Sequence, residues 1–335
     1  MKKDLPKIVI TNPVHAEVLA RLAKCGTVVM NPRPEPWTPA QLARKLRDAD
    51  AMMGFMTDCV DAGSLRAAPR LRVIACALKG FDSYDVAACS RAGVWLTIVP
   101  DLLTEPTAEL AVGLAIGLAR HVMAGDTQVR SGKFAGWRPR LYGTGLAGST
   151  VAIVGIGKVG KAIAARLQGF GCARVLGVDP DAGARNLEKA TLRKALAVAD
   201  YVFIAAPLMP GTLHMISTDT LAHCKPGQLM INVGRGSVID ERAVADALAG
   251  GRLGGYAADV FAFEDWALHP RPRSVAAKLR NSPKTLFTPH LGSAVAEVRK
   301  AIEHRAADNI IAVMRGHVPA DAIGRPQRRP RTSSS

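Results

Sequence analysis

The segment Val151-Ala-Ile-Val-Gly155-Ile-Gly157-Lys158-Val159-Gly160 runs an apolar strand into three glycines spaced GxGxxG and then into an amphipathic stretch, Lys161 to Phe170. Few folds accommodate that order. The first glycine permits a tight turn, the second lets a pyrophosphate approach the backbone, and the third lets the following helix close on the strand. A carboxylate, Asp179, stands 19 residues beyond Gly160, at the end of the apolar run Arg174 to Val178 and just before Pro180. Such an acid accepts hydrogen bonds from the adenosine ribose hydroxyls and repels a 2′-phosphate, which predicts NAD rather than NADP. Arg185, close by in sequence, would soften that choice.

The surroundings of the motif extend the same pattern. Short β-like runs at 8–11, 27–30, 51–55, 71–77 and 94–99 alternate with helical patterns at 41–48 and 86–92. A second series starts at Val151 and continues through strands near 175–178, 202–205, 229–232, 255–259 and 285–288. Alternation of this kind predicts an α/β chain with two doubly wound parallel-sheet domains. The length of 335 residues agrees, since it exceeds what one core usually serves. A long apolar helix is expected at 104–123, with Pro106 in its first turn, and a last helix at 294–314 returns towards the first domain. The expected division is 1–103 with 295–320 as a split domain, 104–294 as the inserted dinucleotide-binding domain, and 321–335 as a basic, flexible tail.

The formal charge of +16 brings nucleic acid and acidic lipid into consideration as partners. The cations are scattered, however, and the one dense run, Arg325 to Arg331, has no interleaved aromatic residues. No nucleic acid and no membrane is expected as a partner, and the positive field suits a small anionic substrate. The most apolar stretch, Leu110 to Ala119, has about half the length of a membrane span. The six cysteines form no CxxC pair and predict reduced thiols in a cytoplasmic protein. No metal is expected.

Three polar residues stand at predicted strand ends downstream of the glycine motif. Arg235 lies between Gly234 and Gly236, which let the loop fold back so that its guanidinium can face an oxyanion with a two-pronged fork. His290 lies in Thr288-Pro-His-Leu-Gly-Ser293, and Glu264 in Asp259-Val-Phe-Ala-Phe-Glu264. A carboxylate on one imidazole nitrogen raises its basicity and leaves the other for proton transfer. In the first domain, Lys79 follows the apolar run 71–77 and precedes Gly80, a placement that lets an ammonium meet an anion.

These motifs resemble the D-2-hydroxyacid dehydrogenase superfamily over residues 5 to about 318. The resemblance implies a Rossmann NAD-binding domain inserted in a split flavodoxin-like substrate domain, a homodimer, and Arg235, Glu264 and His290 as catalytic residues. It also implies Gly155, Gly157, Lys158, Val159, Gly160, Asp179, Pro180, Thr107, Pro207, Val233, Asp259, His290 and Gly292 around the cofactor. Within the superfamily, the segments Ala51 to Met56, Cys76 to Asp82, Gly93 to Thr104, Leu141 to Gly145, Glu264 to Trp266 and Gly292 to Val295 are similar to the branch that oxidises phosphite (phosphonate) to phosphate. Lys79 discriminates, because the hydroxyacid enzymes usually offer small residues and backbone amides there. That likeness implies Lys79, Met56, Gly80, Arg235, His290, Ser293 and Arg299 at the substrate, with Trp137 and Tyr142 shaping and drying its pocket.

The expected function is therefore NAD-dependent oxidation of phosphite, with Lys79 and Arg235 holding the anion and His290, oriented by Glu264, acting on the water. The alternative is a D-2-hydroxyacid dehydrogenase of the glyoxylate or hydroxypyruvate reductase type. A third reading is an NAD-sensing binding protein like the corepressors that share this fold.

Overall fold

A computed structural model of the chain describes residues 5–180 and 187–327. The chain forms two compact units, Met1–Leu103 with Trp266–His269 and Val295–Ser335, and Thr104–Asp265 with Pro270–Ala294.

The first unit is built on five parallel strands, β1 (Lys7–Ile10), β2 (Thr27–Met30), β3 (Ala51–Gly54), β4 (Val73–Cys76) and β5 (Trp95–Thr97), in the order β2-β1-β3-β4-β5. Residues alternate between the two faces of a strand, and here both faces are covered. Val9, Met52, Ile74 and Leu96 pack against helices α2 (Pro39–Leu46), α3 (Ala62–Arg66) and α4 (Val86–Arg91). Ile8, Ile10, Met53 and Ala75 pack against Val18 and Leu22 of α1 (Ala16–Ala23) and against Ile302, Ala306 and Ile310 of the last helix, α12 (Ala296–Met314). Burial on both sides is why β3 and β4 read as continuous apolar runs rather than alternating ones. The start of the expected flexible tail is anchored instead. Arg305 and Asn309 of α12 hold the Asp321 carboxylate, and the Ile323 and Gln327 amides donate to Leu96 and Ser90 carbonyls. Residues 328–335, which include the end of the basic run, lie outside the described residues.

The second unit carries seven parallel strands: β6 (Thr150–Val154), β7 (Arg174–Val178), β8 (Glu188–Lys189), β9 (Tyr201–Ile204), β10 (Gln228–Asn232), β11 (Leu253–Ala258) and β12 (Thr285–Phe287). Their order, β12-β11-β10-β9-β6-β7-β8, reverses at β6, so a crevice opens at the carboxyl ends of β6 and β9, where nucleotides bind in such sheets. The expected single helix over 104–123 is two helices, α5 (Thr104–Ala119) and α6 (Val122–Arg130), bent by 64°. The break falls at His121, whose φ of 52° is left-handed and cannot continue a helix. Among the described residues no single helix is long and apolar enough to cross a membrane.

Candidate active site

The turn after β6 is shaped by what its glycines exclude. Gly155 has φ +90°, and a Cβ there would lie 2.7 Å from the Ala206 nitrogen. A Cβ on Gly160 would meet the Gly155 carbonyl oxygen at 2.0 Å, so helix α7 (Lys158–Leu167) approaches β6 only because that position is glycine. Gly157 faces open space and caps α7 with no side chain, leaving the first-turn amides around Lys158 and Val159 without intrahelical acceptors. An uncapped helix start of this kind receives a phosphate. Asp179 closes the far side, its Oδ2 accepting from the Ile156 amide at 2.7 Å, with Pro180 exposed beside it. Val233 is buried and Pro207 exposed at the ends of β10 and β9. The residues present fit a dinucleotide. Arg185 lies outside the described residues.

Beyond β10, the Asn232 side chain accepts from the Gly234 amide and donates to the Arg235 carbonyl, 3.0 Å in each case. That clamp folds the loop back, and Arg235 donates to the Gly234 carbonyl oxygen at 2.9 Å. After β11, Glu264 divides its carboxylate between two tasks. Oε1 accepts from the Phe261 amide at 3.0 Å and holds its own turn, while Oε2 lies 2.8 Å from His290 Nδ1. A neutral imidazole that donates from Nδ1 to a carboxylate presents Nε2 as an acceptor, which is the form a general base requires. Both side chains of the pair are about a quarter exposed, so they remain reachable.

His290 itself has φ +57°, uncommon for a residue with a Cβ. Asp259 holds the surrounding turn, with Oδ1 accepting from the Leu291 amide and the Thr288 hydroxyl and Oδ2 from the Gly292 amide. Thr107 of α5 donates its hydroxyl to the Gly292 carbonyl at 3.1 Å. Asp259, Thr107 and Gly292, expected around the cofactor, are thus seen supporting the turn that presents His290. Burial pushes the Asp259 carboxyl up against the opposing pull of Thr288 and the two amides.

The first unit assembles a different group. Lys79 and Gly80 follow β4, and Met56 follows β3, all half-buried. Arg299 of α12 donates to the Ala77 carbonyl at 3.3 Å, two residues before Lys79, and its guanidinium lies 5.9 Å from the Phe55 ring centroid. Burial lowers the guanidinium pKa, opposed by the Glu303 carboxylate. Beneath this end of the sheet, Asp58 is 5% exposed and accepts from the Phe55 amide at 2.7 Å and the Thr11 hydroxyl at 2.5 Å. Burial outweighs both hydrogen bonds and raises its pKa to about 6.

Trp137 and Tyr142, expected to line the substrate pocket, are 75% and 73% exposed. Tyr142 borders a cavity of about 300 Å³ together with Leu118, His121, Met123 and Leu286, and neither Arg235 nor His290 lines it. Ser293 is half-buried at the end of the His290 turn. Sequence reasoning missed Asp58 and Asp265, each of which accepts from a backbone amide that no residue pattern announces. Among the described residues no cluster of three His, Cys, Asp or Glu could hold a metal ion.

Comparison with known proteins adds a consistent finding. Residues 112–292 match the sequence profile of the D-isomer specific 2-hydroxyacid dehydrogenase, NAD binding domain. A glyoxylate reductase of Thermococcus litoralis is 32% identical over 332 residues, covering 96% of this chain and 97% of the relative. One of Pyrococcus horikoshii is 34% identical, covering 85% of each. Among solved structures, a Thermus thermophilus protein superposes with a TM-score of 0.86 at 30% identity, over 95% of this chain and 100% of that one. The NADPH-dependent glyoxylate/hydroxypyruvate reductase of Sinorhizobium meliloti, solved with NADP and malonate, gives 0.85 at 27% identity, over 98% and 100%.

Proposed function

The chain belongs to the D-isomer specific 2-hydroxyacid dehydrogenase family, and from that premise we propose that it oxidises phosphite (phosphonate) to phosphate with NAD. The observation that carries the choice of substrate is Lys79, three residues past β4 and two past Ala77, whose carbonyl Arg299 engages. A 2-keto acid carries one carboxylate. Phosphite is mostly a dianion near neutral pH, and the two cations proposed to bind it, Lys79 and Arg235, would balance that charge one for one.

In the reaction the P–H bond breaks and a P–O bond forms, so phosphite, water and NAD⁺ yield phosphate, NADH and a proton. NAD supplies the hydride acceptor when bound. Lys79 and Arg235 hold the anionic oxygens, and Arg235 steadies the charge that builds as the water oxygen reaches phosphorus. His290 Nε2 takes the water's proton, while Glu264 keeps the ring in the required tautomer and stabilises the imidazolium. Met56, Gly80 and Ser293 complete the proposed substrate contacts. Asp179 is the residue that favours NAD over NADP, with Thr107, Pro207, Val233, Asp259 and Gly292 as further proposed cofactor contacts.

The second reading is reduction of glyoxylate, which the names of the relatives favour. There His290 would donate its proton to the carbonyl oxygen as hydride arrives. Both readings are tested by mixing the purified protein with NAD and phosphite while following NADH and phosphate, beside a parallel reaction of NADH with glyoxylate. Equal amounts of NADH and phosphate, formed only with phosphite, support the first reading. Silence with phosphite and turnover of glyoxylate would replace it with the second.

A second copy of the chain is the proposed partner. Between 122 and 142 the second unit exposes Val122, Met123, Val129, Phe134, Trp137, Leu141 and Tyr142, an apolar concentration that a monomer seldom leaves to water. Light scattering of the purified protein tests this, with a dimer mass expected. The six cysteines, none bonded to another, fit a cytoplasmic location.

A further inference from the structure

Glu264 is followed directly by a second acid, and the two point their carboxylates at different parts of the same unit. Asp265 is 3% exposed, and its Oδ2 accepts from the Ser237 amide at 2.6 Å. Ser237 is itself buried and stands two residues after Arg235. The Arg235 loop and the 261–265 turn interlock closely at this point. A Cβ on Gly236 would lie 1.9 Å from the Phe261 carbonyl carbon and 2.1 Å from the Ala262 nitrogen. A reciprocal tie runs back from helix α10 (Glu241–Ala249), whose Glu241 accepts from the Ala262 amide at 2.8 Å.

This arrangement gathers three acids, Glu241, Glu264 and Asp265, into one partly dry region. Burial, joined by the charges of Asp265 and Glu264, pushes the Glu241 carboxyl up. Packing alone would be served better by an apolar side chain at 265, since burying a carboxylate is costly unless amides meet it. The return is geometric. Glu264 orients His290, and the next residue fixes the loop from which Arg235 projects.

The geometry points to Asp265 as a positioning residue for Arg235, the Glu264–Asp265 dipeptide setting the anion-binding guanidinium and the His290 base in register with each other. This inference rests on the role given to Arg235 in the proposed function. Asp265 itself is assigned no contact with substrate or cofactor. It acts through the Ser237 amide, and a shift of about 1 Å in a positioning contact is enough to cost roughly 10²-fold in rate.

The test is a double-mutant cycle on whichever reaction the wild-type protein catalyses. Asp265→Ala is expected to lower kcat/KM for the anion by about 10- to 100-fold, with the NAD dissociation constant changed less than about twofold. Asp265→Asn, which keeps an acceptor oxygen for the Ser237 amide, is expected to recover most of that loss. In an Arg235→Ala background the Asp265→Ala change should cost less than about threefold, because the group it positions is gone. The pH profile set by the His290–Glu264 pair should not move. If Asp265→Ala yields no soluble protein, Asp265→Glu serves in its place: the longer side chain displaces the loop and should lose kcat/KM while NAD still binds. Full additivity with Arg235→Ala, or unchanged kcat/KM in a folded Ala or Glu variant, would overturn the role of Asp265. A wild-type protein inactive on both phosphite and glyoxylate would instead overturn the proposed function, and this inference with it.

Discussion

The His290 amide donates to the Asp259 carbonyl oxygen at 2.9 Å, and the Asp259 carboxylate takes the amides of the next two residues. One aspartate at the end of β11 thereby holds a histidine in a left-handed conformation at the end of β12. The imidazole is presented by a fixed turn rather than a loose loop.

Replacing that aspartate should therefore disturb the proposed base, His290, without touching its side chain. Asp259→Asn puts an NH2 group against an amide donor and strands at least one buried N–H, a loss of about 1–3 kcal/mol. The expected result is a thermal midpoint lowered by a few degrees and kcat reduced by about tenfold or more. Calorimetry and steady-state kinetics on one preparation check both parts.

Lys79 and His290 should separate binding from chemistry. Lys79→Ala is expected to raise the KM for phosphite by about 10- to 100-fold, the range for a lost charged hydrogen bond, and to leave NAD affinity within about twofold. His290→Ala should cut kcat by about 10²- to 10⁴-fold with NAD binding retained. Near-normal turnover without His290 would remove it as the base.

Asp58 supplies a pH dependence of stability. Its carboxyl holds a proton up to about pH 6 in the folded chain, against an ordinary value of 3.8. The folded state binds the extra proton between those values, so the contribution of Asp58 to stability is greatest below about pH 4, falls as pH rises to about 6, and is flat above. The span corresponds to about 3 kcal/mol. In urea unfolding from pH 4 to 8, the difference in stability between the wild type and Asp58→Asn should shift against the wild type by about this amount as pH rises to about 6.

Asp179 should govern the choice of nucleotide. Asp179→Ala removes the proposed ribose acceptor and the negative charge that opposes a 2′-phosphate. The ratio of kcat/KM with NAD to that with NADP is expected to fall by about tenfold or more. An unchanged ratio would mean that other groups set the preference.

The two-sheet architecture was legible because buried parallel strands leave continuous apolar runs separated by helical patterns. The break between α5 and α6 was not, since His121 carries no glycine or proline signal and apolar residues resume directly after it at Val122 and Met123. Strand β8 escaped for the opposite reason. Its residues, Glu188 and Lys189, are polar and exposed, and only pairing with Leu176 and Gly177 makes them a strand. The exposure of Trp137 and Tyr142 also lay beyond the sequence, because an aromatic residue looks the same whether it faces a pocket or solvent.

What the sequence by itself determined was the parallel α/β plan, the glycine turn with its acid, and the placement of Arg235, Glu264 and His290 in the loops that follow strands. Those features are local, written in periodicity and in the few residue types a tight turn accepts. Only the tertiary structure decided that Asp58, Asp259 and Asp265 act as braces for the loops around them. Asp259 and Asp265 meet amides up to 33 residues away, and Asp58 joins Phe55 to a hydroxyl 47 residues away. Those partners come within reach only once parallel strands have paired in register and brought their carboxyl ends together.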